Sequence, residues 1–499
     1  MENIKILTKH EFLRQIQSFK FTLLLLISII ITVACVFVQI KDFEDRQNTY
    51  FSEVQKAEKL KGTFRVYSNF RIPLIIPPNP LSIFAKGYDD KIGNKVTISI
   101  ADVPEFESTS QKKNPFLEIF LNFDVSSIVL IILSLMTIFL MSDTISGERE
   151  ELTLKLIFVN HVKRFDFFLS KFIAGLIILS IPLLIIFLTA SLMVIFNPMI
   201  SMSSEMWFKV VILFAACVLF IATYILLGLI ISTKTSSSSN SVIYGLLLWI
   251  ILVLVYPNTI NYVVNNSVKI PSIDEIETQI NEIRGETQAE MYKNLEIPQR
   301  GGVNYSYANT WIVLPYIMIT QKYVFEAWEK AVEKNIPIWF DLQRRISNIR
   351  NEYSSKLIRQ NKIAGYFLKI IPGFMLEESL TKLANTHFDF RSTKLQNSIT
   401  DFRNVVLDYL RSKDAFGIKY FTAMKKEEMR DNWDEYTDEI HNKYTWGNCP
   451  KLDVSDVPEF RYATPLSIPL DFFLMMLLIG ILFIIGVKLF SSTTLIKRD

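Results

Sequence analysis

The stretch Ser146-Gly147-Glu148-Arg149-Glu150-Glu151-Leu152-Thr153-Leu154-Lys155-Leu156 lies between two long apolar segments of the chain. Its acidic residues follow a glycine, and apolar residues at helical spacing come after them, which is typical of a short amphipathic helix. Carboxylates at the N-terminus of a helix can meet positive charge on a partner. The stretch therefore predicts a short helix between two membrane spans that serves as a docking surface.

The composition is that of a membrane protein. Of the 499 residues, 50% are hydrophobic and 38 are phenylalanine. The formal net charge of +3 is small for this length, and the basic residues are spread along the chain. A nucleic-acid-binding surface is therefore not indicated.

Six apolar runs are candidates to cross a bilayer, which takes about 17 to 25 helical residues, and the last of them reaches this length if it extends back to Leu470. They predict spans at residues 21–40, 125–142, 172–196, 208–232, 241–257 and 472–487. The predicted fold class is thus mainly α, a polytopic membrane protein with six transmembrane helices. An even number of spans places both termini on the same side of the membrane.

Basic residues at both ends of the chain predict which side that is. They are Lys5, Lys9, Arg14 and Lys20 before the first span, and Lys488, Lys497 and Arg498 after the last. By the positive-inside rule both termini are cytoplasmic, and we expect a bacterial inner (plasma) membrane. Residues 1–20 then form a cytoplasmic interfacial helix, residues 143–171 a cytoplasmic loop, and residues 488–499 a cytoplasmic tail.

The two long segments between spans are expected on the opposite side. Residues 41–124 contain a proline-rich tract at 72–80 and an alternating stretch, Val96–Ile100, that suits a strand. Residues 258–471 carry apolar residues mostly at helical spacing. Together they predict a largely helical extracytoplasmic domain formed from two insertions.

Catalytic and metal-binding patterns are missing from the sequence. It has no Gly-x-x-x-x-Gly-Lys-Ser/Thr loop for nucleotide phosphates, so any ATP must be hydrolysed by another subunit. The four histidines are too scattered to indicate a metal site. The predicted spans have no Asp, Glu, Lys, Arg or His at mid-membrane depth, which disfavours proton-coupled transport.

The stretch Ser142–Glu150, with Thr153-Leu154, Arg164 and Lys171, resembles the second span and first cytoplasmic loop of permease subunits of ABC-2 type ATP-binding-cassette (ABC) exporters. That family carries Ser-Gly-Glu-(Arg/Lys)-Glu-x-Gly-Thr-Leu there, followed by an Arg and a Lys before the third span. This chain departs from the pattern at Leu152, where the family usually has glycine. Short matches in the insertions, Pro80-Leu81-Ser82 and Pro372-Gly373-Phe374 among them, resemble the branch with a large extracytoplasmic domain.

The resemblance implies a coupling helix at Glu148–Lys155 that fits a groove on an ATPase subunit. The ATPase-coupling residues carried over are Gly147, Glu148, Arg149, Glu150, Glu151, Thr153, Leu154, Arg164 and Lys171. The alternative is that the carboxylates only complement the helix dipole, a contribution of about 0.3 to 1 kcal/mol each. The coupling role and the helix-dipole contribution are compatible.

The implied partners are a cytoplasmic ABC ATPase subunit, a second permease half that is either a second copy or a related chain, and membrane lipid. The chain itself is expected to be no enzyme and to bind no cofactor, because the ATPase would bind ATP and Mg. The implied function is that of a permease subunit of an exporter for a hydrophobic or amphiphilic substrate. The alternative is a mechanotransmitting or scaffold subunit whose extracytoplasmic domain acts on envelope components without transport.

Overall fold

The computed structural model describes residues 2–89, 91, 93–100, 103–104, 106–107, 123–294, 322–420, 422–445, 447–462 and 470–492. Residues 493–499 of the predicted tail lie outside this part. Six helices are long and apolar enough to cross a membrane, which confirms the predicted fold class. They are span 1 (Phe19–Lys61), span 2 (Val125–Glu150), span 3 (Arg164–Ile195), span 4 (Ser204–Lys234), span 5 (Ser238–Ser267) and span 6 (Leu470–Ser492).

The helices extend beyond the predicted apolar runs. Span 1 continues past residue 40 to Lys61 as a polar helix, and span 3 begins at Arg164 rather than at 172. Span 4 begins where the Ser203 hydroxyl accepts a hydrogen bond from Met206 N. Such caps set the ends of a helix, whereas hydropathy detects only the length inside the bilayer.

Spans 2 and 5 are not uniform α-helices. Span 2 consists of Val125–Ser127, a π-helical turn at Ile128–Leu133, Ser134–Met141, and a last turn at Ser146–Glu150. Span 5 has its own π-helical turn, Ile251–Val255, between Ser238–Ile250 and Tyr256–Ser267. Spans 2, 3 and 4 are the most buried, while spans 5 and 6 leave most of their apolar surface uncovered.

Because the spans alternate in direction, the remaining elements fall at two membrane faces. Helix α1 (Glu2–Ile16), helix α2 (Thr153–Val159) between spans 2 and 3, and the link between spans 4 and 5 share one face, the N-terminal face. The loop between spans 3 and 4 and both insertions lie at the opposite face, the far face.

The two insertions form one large domain with a common core. It contains α3 (Ile273–Lys293), α4 (Lys322–Leu368), α5 (Pro372–Leu383), a π-helical turn (Phe390–Leu395), α6 (Gln396–Ser412) and α7 (Asp438–Lys443). Short 3-10 helices occur at Tyr67–Asn69, Pro80–Ile83, Ile418–Tyr420, Lys426–Glu428 and Trp433–Glu435. Apolar side chains of the first insertion, such as Phe70 and Ile98, pack with Trp339 and Ile399 of the second.

A three-stranded antiparallel sheet belongs to the first insertion. Strand β1 (Arg71–Ile75) pairs with β2 (Lys95–Ser99), which pairs with β3 (Phe106–Glu107). β2 lies at the predicted strand, but β1 falls within the tract interpreted only as proline-rich. Pro73 lacks an N–H donor, and β1 accommodates it because β1 is an edge strand.

Candidate functional site

The stretch Ser146–Leu156 forms two short helices, so the prediction of one continuous helix over Glu148–Lys155 is wrong. The last turn of span 2 ends at Glu150, and α2 begins at Thr153. Between them Leu152 has a φ of 63°, in the left-handed region. The chain therefore turns sharply at the position where the resembled family has glycine, the residue that adopts this conformation without strain.

Glu148 lies inside the protein within a buried ion cluster of Glu11, Arg14, Glu148 and Lys171. Glu11 is 2% exposed, and Glu148 and Lys171 are each 4% exposed. The Lys171 ammonium forms ion pairs with both carboxylates. Arg14 also reaches both, with Nη2 2.8 Å from Glu11 Oε1 and Nη1 3.3 Å from Glu148 Oε1. Two cations and two carboxylates thus join α1, span 2 and span 3.

Electrostatics favour the ionised forms of Glu11 and Arg14 in this cluster. Burial raises the pKa of Glu11, but Lys171 and Arg14 outweigh burial and lower that pKa from 4.5 to about 2. Burial lowers the pKa of Arg14, while Glu11 and Glu148 raise it, and the net pKa is raised. The contact between α1 and the spans is therefore an ion pair at neutral pH.

Arg149 and Glu150 fix the end of span 2 to the link between spans 4 and 5. Arg149 donates hydrogen bonds to the carbonyl oxygens of Thr233, at 3.0 Å, and Thr235, at 2.6 Å. Glu150 Oε2 accepts a hydrogen bond of 2.8 Å from the backbone N–H of Ser238, the first residue of span 5. A carboxylate there complements the positive end of the helix dipole.

Arg164, Thr153 and Leu154 attach the loop to the rest of the fold. Arg164 donates to the carbonyl oxygens of Phe490, at 3.1 Å, and Ser491, at 2.6 Å, near the end of span 6. Terminal carbonyls of a helix have no partner within the helix, so this contact satisfies two of them. The Thr153 hydroxyl donates to the Glu148 carbonyl oxygen at 3.1 Å, and Leu154 is 2% exposed.

Glycines of three spans surround Met141 and Ser142, just before the motif. A Cβ added at Gly175 of span 3 would lie 2.7 Å from Met141 Sδ. At Gly228 of span 4 it would lie 2.8 Å from Met141 Cβ, and at Gly245 of span 5 2.8 Å from Ser142 Oγ. Small residues permit such close helix packing in membranes. A shift of this end of span 2 therefore acts directly on three neighbouring spans.

One side of the loop remains open. Leu152, Leu156 and Val159 are 59%, 68% and 74% exposed and form what we call the apolar ridge. Glu151 and Lys155 beside them are exposed as well. At Gly147 an added Cβ would meet no atom of the described residues within 4 Å. The surface available to a partner is thus α2 and the turn before it.

The buried ion cluster could not be identified from the loop motif alone. Residues 1–20 were predicted only as a cytoplasmic interfacial helix, and Leu13 and Phe19, which are 43% and 79% exposed, are consistent with that role. Glu11 and Gln15 are the buried polar residues of α1, with Gln15 Nε2 3.0 Å from Glu11 Oε1. The sequence signal for this contact was Glu11 four positions before Gln15, because residues at this spacing lie on one face of a helix.

Comparison with known proteins covers this whole site. Residues 6–284, more than half of the chain, match the family model described as ABC-2 family transporter protein. The matched region contains most of α1, spans 1 to 5 and α2. No curated protein matches the chain.

Proposed function

The chain belongs to the ABC-2 transporter family, and from this premise we propose that it exports a hydrophobic or amphiphilic substrate across a bacterial inner membrane. It is a membrane permease of an ABC transporter, and its family associates with an ABC ATPase. ATP hydrolysis in that separate subunit would supply the motion. The residues of this chain would receive the motion and distribute it among the spans.

The observation that carries the proposal is the apolar ridge on α2. Leu152, Leu156 and Val159 are large apolar side chains exposed at a polar membrane face. Exposed apolar residues grouped in this way mark interaction sites. We assign the ridge as the surface that enters the ATPase, with the N-terminal face in the cytoplasm. The open space at Gly147 is consistent with the close approach of another subunit.

The other motif residues would act by position rather than by contact. Glu148 and Lys171 connect the base of α2 to α1 and span 3. Arg149 and Glu150 connect it to spans 4 and 5, and Arg164 connects it to span 6. A push on the ridge would therefore reach four spans through hydrogen bonds and ion pairs.

The uncovered surfaces of spans 5 and 6 support a dimer. Ile243, Leu247 and Ile251 of span 5 are each more than 40% exposed. Such surfaces face lipid or a second permease half. We propose that two halves, identical or related, enclose the substrate path between them.

The proposal is tested by whether an ATPase co-purifies with the permease. A tagged Leu156→Arg variant places a charge on the ridge, and we expect it to retain about one tenth or less of the ATPase bound by the wild type. The measurement is mass spectrometry of the complex purified in mild detergent. Ile273→Arg is the matched control, because Ile273 is a 62% exposed apolar residue of the large domain. Equal ATPase recovery with both variants would refute the docking assignment.

A mechanical role is the second candidate, and one contact favours it. Asp471 at the start of span 6 is fully buried, with its carboxylate oxygens 3.1 Å from Lys369 Nζ and 3.3 Å from Lys382 Nζ. These lysines belong to the large domain, so movement of span 6 would also move that domain. ATPase turnover stimulated by substrate in reconstituted vesicles supports export. Turnover that responds only to an envelope component bound to the large domain supports mechanics.

A further inference from the structure

We propose that the far face carries a binding site for an anionic amphiphile. Its headgroup would occupy a cavity beside Lys209, and its acyl chain would lie in a groove between spans 1 and 3. The site shares no residue with the apolar ridge. Its existence therefore does not depend on the ATPase assignment.

The cavity has a volume of about 280 Å³ and lies where four parts of the fold meet. Its wall includes Phe43 of span 1, Pro78 of the proline-rich tract, Met206 of span 4 and Phe390 of the large domain. Pockets for small ligands measure about 300 to 1,000 Å³, so this one suits a headgroup rather than a whole lipid. The lining combines apolar side chains with a comparable share of polar and charged groups, which suits a headgroup.

Lys209 supplies the main charge of the cavity. It is 3% exposed, and its ammonium lies 2.9 Å from Glu205 Oε1, on a side chain that is itself 57% exposed. An ammonium has three donors, and this contact accounts for one of them. A buried cation is costly unless its donors are satisfied. An anionic ligand in the cavity would satisfy the others.

Arg391 adds a second cation to the same wall. It is 3% exposed, pairs with the fully buried Asp89, and donates to Asn94 Oδ1 at 3.0 Å. These contacts fix the guanidinium in place at the cavity. The wall thus presents one rigidly held cation and one, Lys209, with spare donors. Both favour phosphate or carboxylate over a neutral group.

The groove beside the cavity is open and mainly apolar, with Lys41, Glu44 and Asn197 also on its lining. Phe37 and Ile40 of span 1, Leu192 of span 3 and Phe196 just after it line a space of about 450 Å³. Ile40 lies about one helical turn from Phe43 of the cavity wall, so groove and cavity lie close together along span 1. An apolar groove in the bilayer next to a cationic cavity at its surface fits one molecule with an acyl chain and an anionic headgroup.

Native mass spectrometry of the detergent-purified, full-length protein tests the site. The probes are dioleoyl phosphatidylglycerol, the zwitterionic dioleoyl phosphatidylcholine, and inorganic phosphate. We expect selective binding of phosphatidylglycerol, weakened about tenfold in Lys209→Met. Lys209→Arg should restore it. Lys234→Met is the matched control, because Lys234 is an exposed lysine at the opposite end of the same helix.

A second variant tests whether the acyl chain contributes to binding in addition to the headgroup. Leu192→Trp should fill the groove and weaken phosphatidylglycerol binding while the protein stays folded, because Leu192 is 51% exposed. Equal binding of the two lipids, or loss of binding in both Lys209→Met and Lys209→Arg, would overturn the proposal. Full competition by phosphate at the lipid concentration would also overturn it, because the cavity would then be an ion site and not an amphiphile site.

Discussion

Three charged residues of the Ser146–Leu156 stretch, Glu148, Arg149 and Glu150, have partners within the fold, and this determines what each one contributes. Glu148 pairs with Lys171 and Arg14, and Arg149 and Glu150 hold the link between spans 4 and 5. The exposed residues of the same stretch include the charged Glu151 and Lys155 as well as the apolar Leu152 and Leu156. At the scale of the residue, the partnered charges therefore stabilise the loop, and a surface of apolar and charged side chains is left for a partner.

Leu152→Gly should stabilise the purified permease. Leu152 has a φ of 63° and is 59% exposed, so glycine relieves a left-handed conformation that costs about 1–2 kcal/mol and removes little buried surface. The greater freedom of glycine in the unfolded chain offsets about 0.4–1 kcal/mol of this. A raised midpoint of thermal unfolding is expected. A lowered midpoint would show that the leucine side chain contributes more than its exposure suggests.

Glu11→Gln should destabilise the protein in a pH-dependent way. The pKa of Glu11 is lowered from 4.5 to about 2, so the ionised carboxylate contributes about 3 kcal/mol at neutral pH. A lowered pKa means that this contribution is complete above about pH 4.5 and is lost as the pH falls towards 2. The difference in thermal unfolding midpoint between wild type and variant should therefore shrink from pH 7 to pH 3.

The control for that experiment is Glu326→Gln, because Glu326 is an exposed residue of α4. It should leave the midpoint nearly unchanged at both pH values. A pH-independent effect of Glu11→Gln would mean that packing of α1, rather than the ion pair, accounts for the stability.

At the scale of the element, the cytoplasmic-side end proposed for span 2 is tightly enclosed by its neighbours. Gly175, Gly228 and Gly245 approach Met141 and Ser142 from three different spans. The Ser241 hydroxyl of span 5 also donates to the Ser142 carbonyl oxygen. Close-packed interiors transmit displacement instead of absorbing it. A displacement of Met141 or Ser142 would therefore also displace the neighbouring spans.

Gly228→Ala should destabilise the bundle by about 1–3 kcal/mol. The added methyl group would lie 2.8 Å from Met141 Cβ and 3.3 Å from the Met141 backbone carbon, so a change of side-chain rotamer cannot relieve the contact. Gly480→Ala in span 6 is the matched control, since no atom of the described residues lies within 4 Å of its Cβ position. There alanine should stabilise slightly through helix propensity. Equal unfolding midpoints for the two variants would contradict this packing.

At the scale of the whole molecule, direct contacts attach the large domain to the spans. Helix α5 packs against spans 4 and 6, and Asp471 joins span 6 to Lys369 and Lys382. Gly87 adds a close contact between the insertions, because a Cβ there would lie 2.7 Å from the Thr386 carbonyl oxygen. Movement of the spans is therefore expected to reach the large domain.

Asp471→Asn should loosen this attachment without affecting the ATPase. Loss of the charge weakens both lysine contacts, and we expect α5 to open more easily by about 2 kcal/mol. Hydrogen–deuterium exchange of residues 369–383 should rise, while ATPase recovery stays at the wild-type level. Asp438→Asn, at an exposed residue of α7, is the control. Unchanged exchange in residues 369–383 would show that the ion pairs do not hold the domain.

The sequence by itself determined the six spans, the mainly helical fold class and the family resemblance. Each depends on local properties: apolar length reports membrane crossing, and residues 142–154 are a contiguous motif. Strand β2 was also predicted from its alternating apolar and polar residues, whereas β1 was missed because it contains Pro73.

Only the tertiary structure decided which motif residues are buried and which are free. Glu148 was predicted to face a partner, and it is buried because Lys171 and Glu11, far away in sequence, meet it there. The exposure of Leu156 likewise depends on how α2 packs, because Phe158 of the same helix contacts Phe167 of span 3 and Phe490 of span 6 and so leaves Leu156 uncovered. Burial is a property of contacts between distant segments, and the period of a single helix does not contain that information.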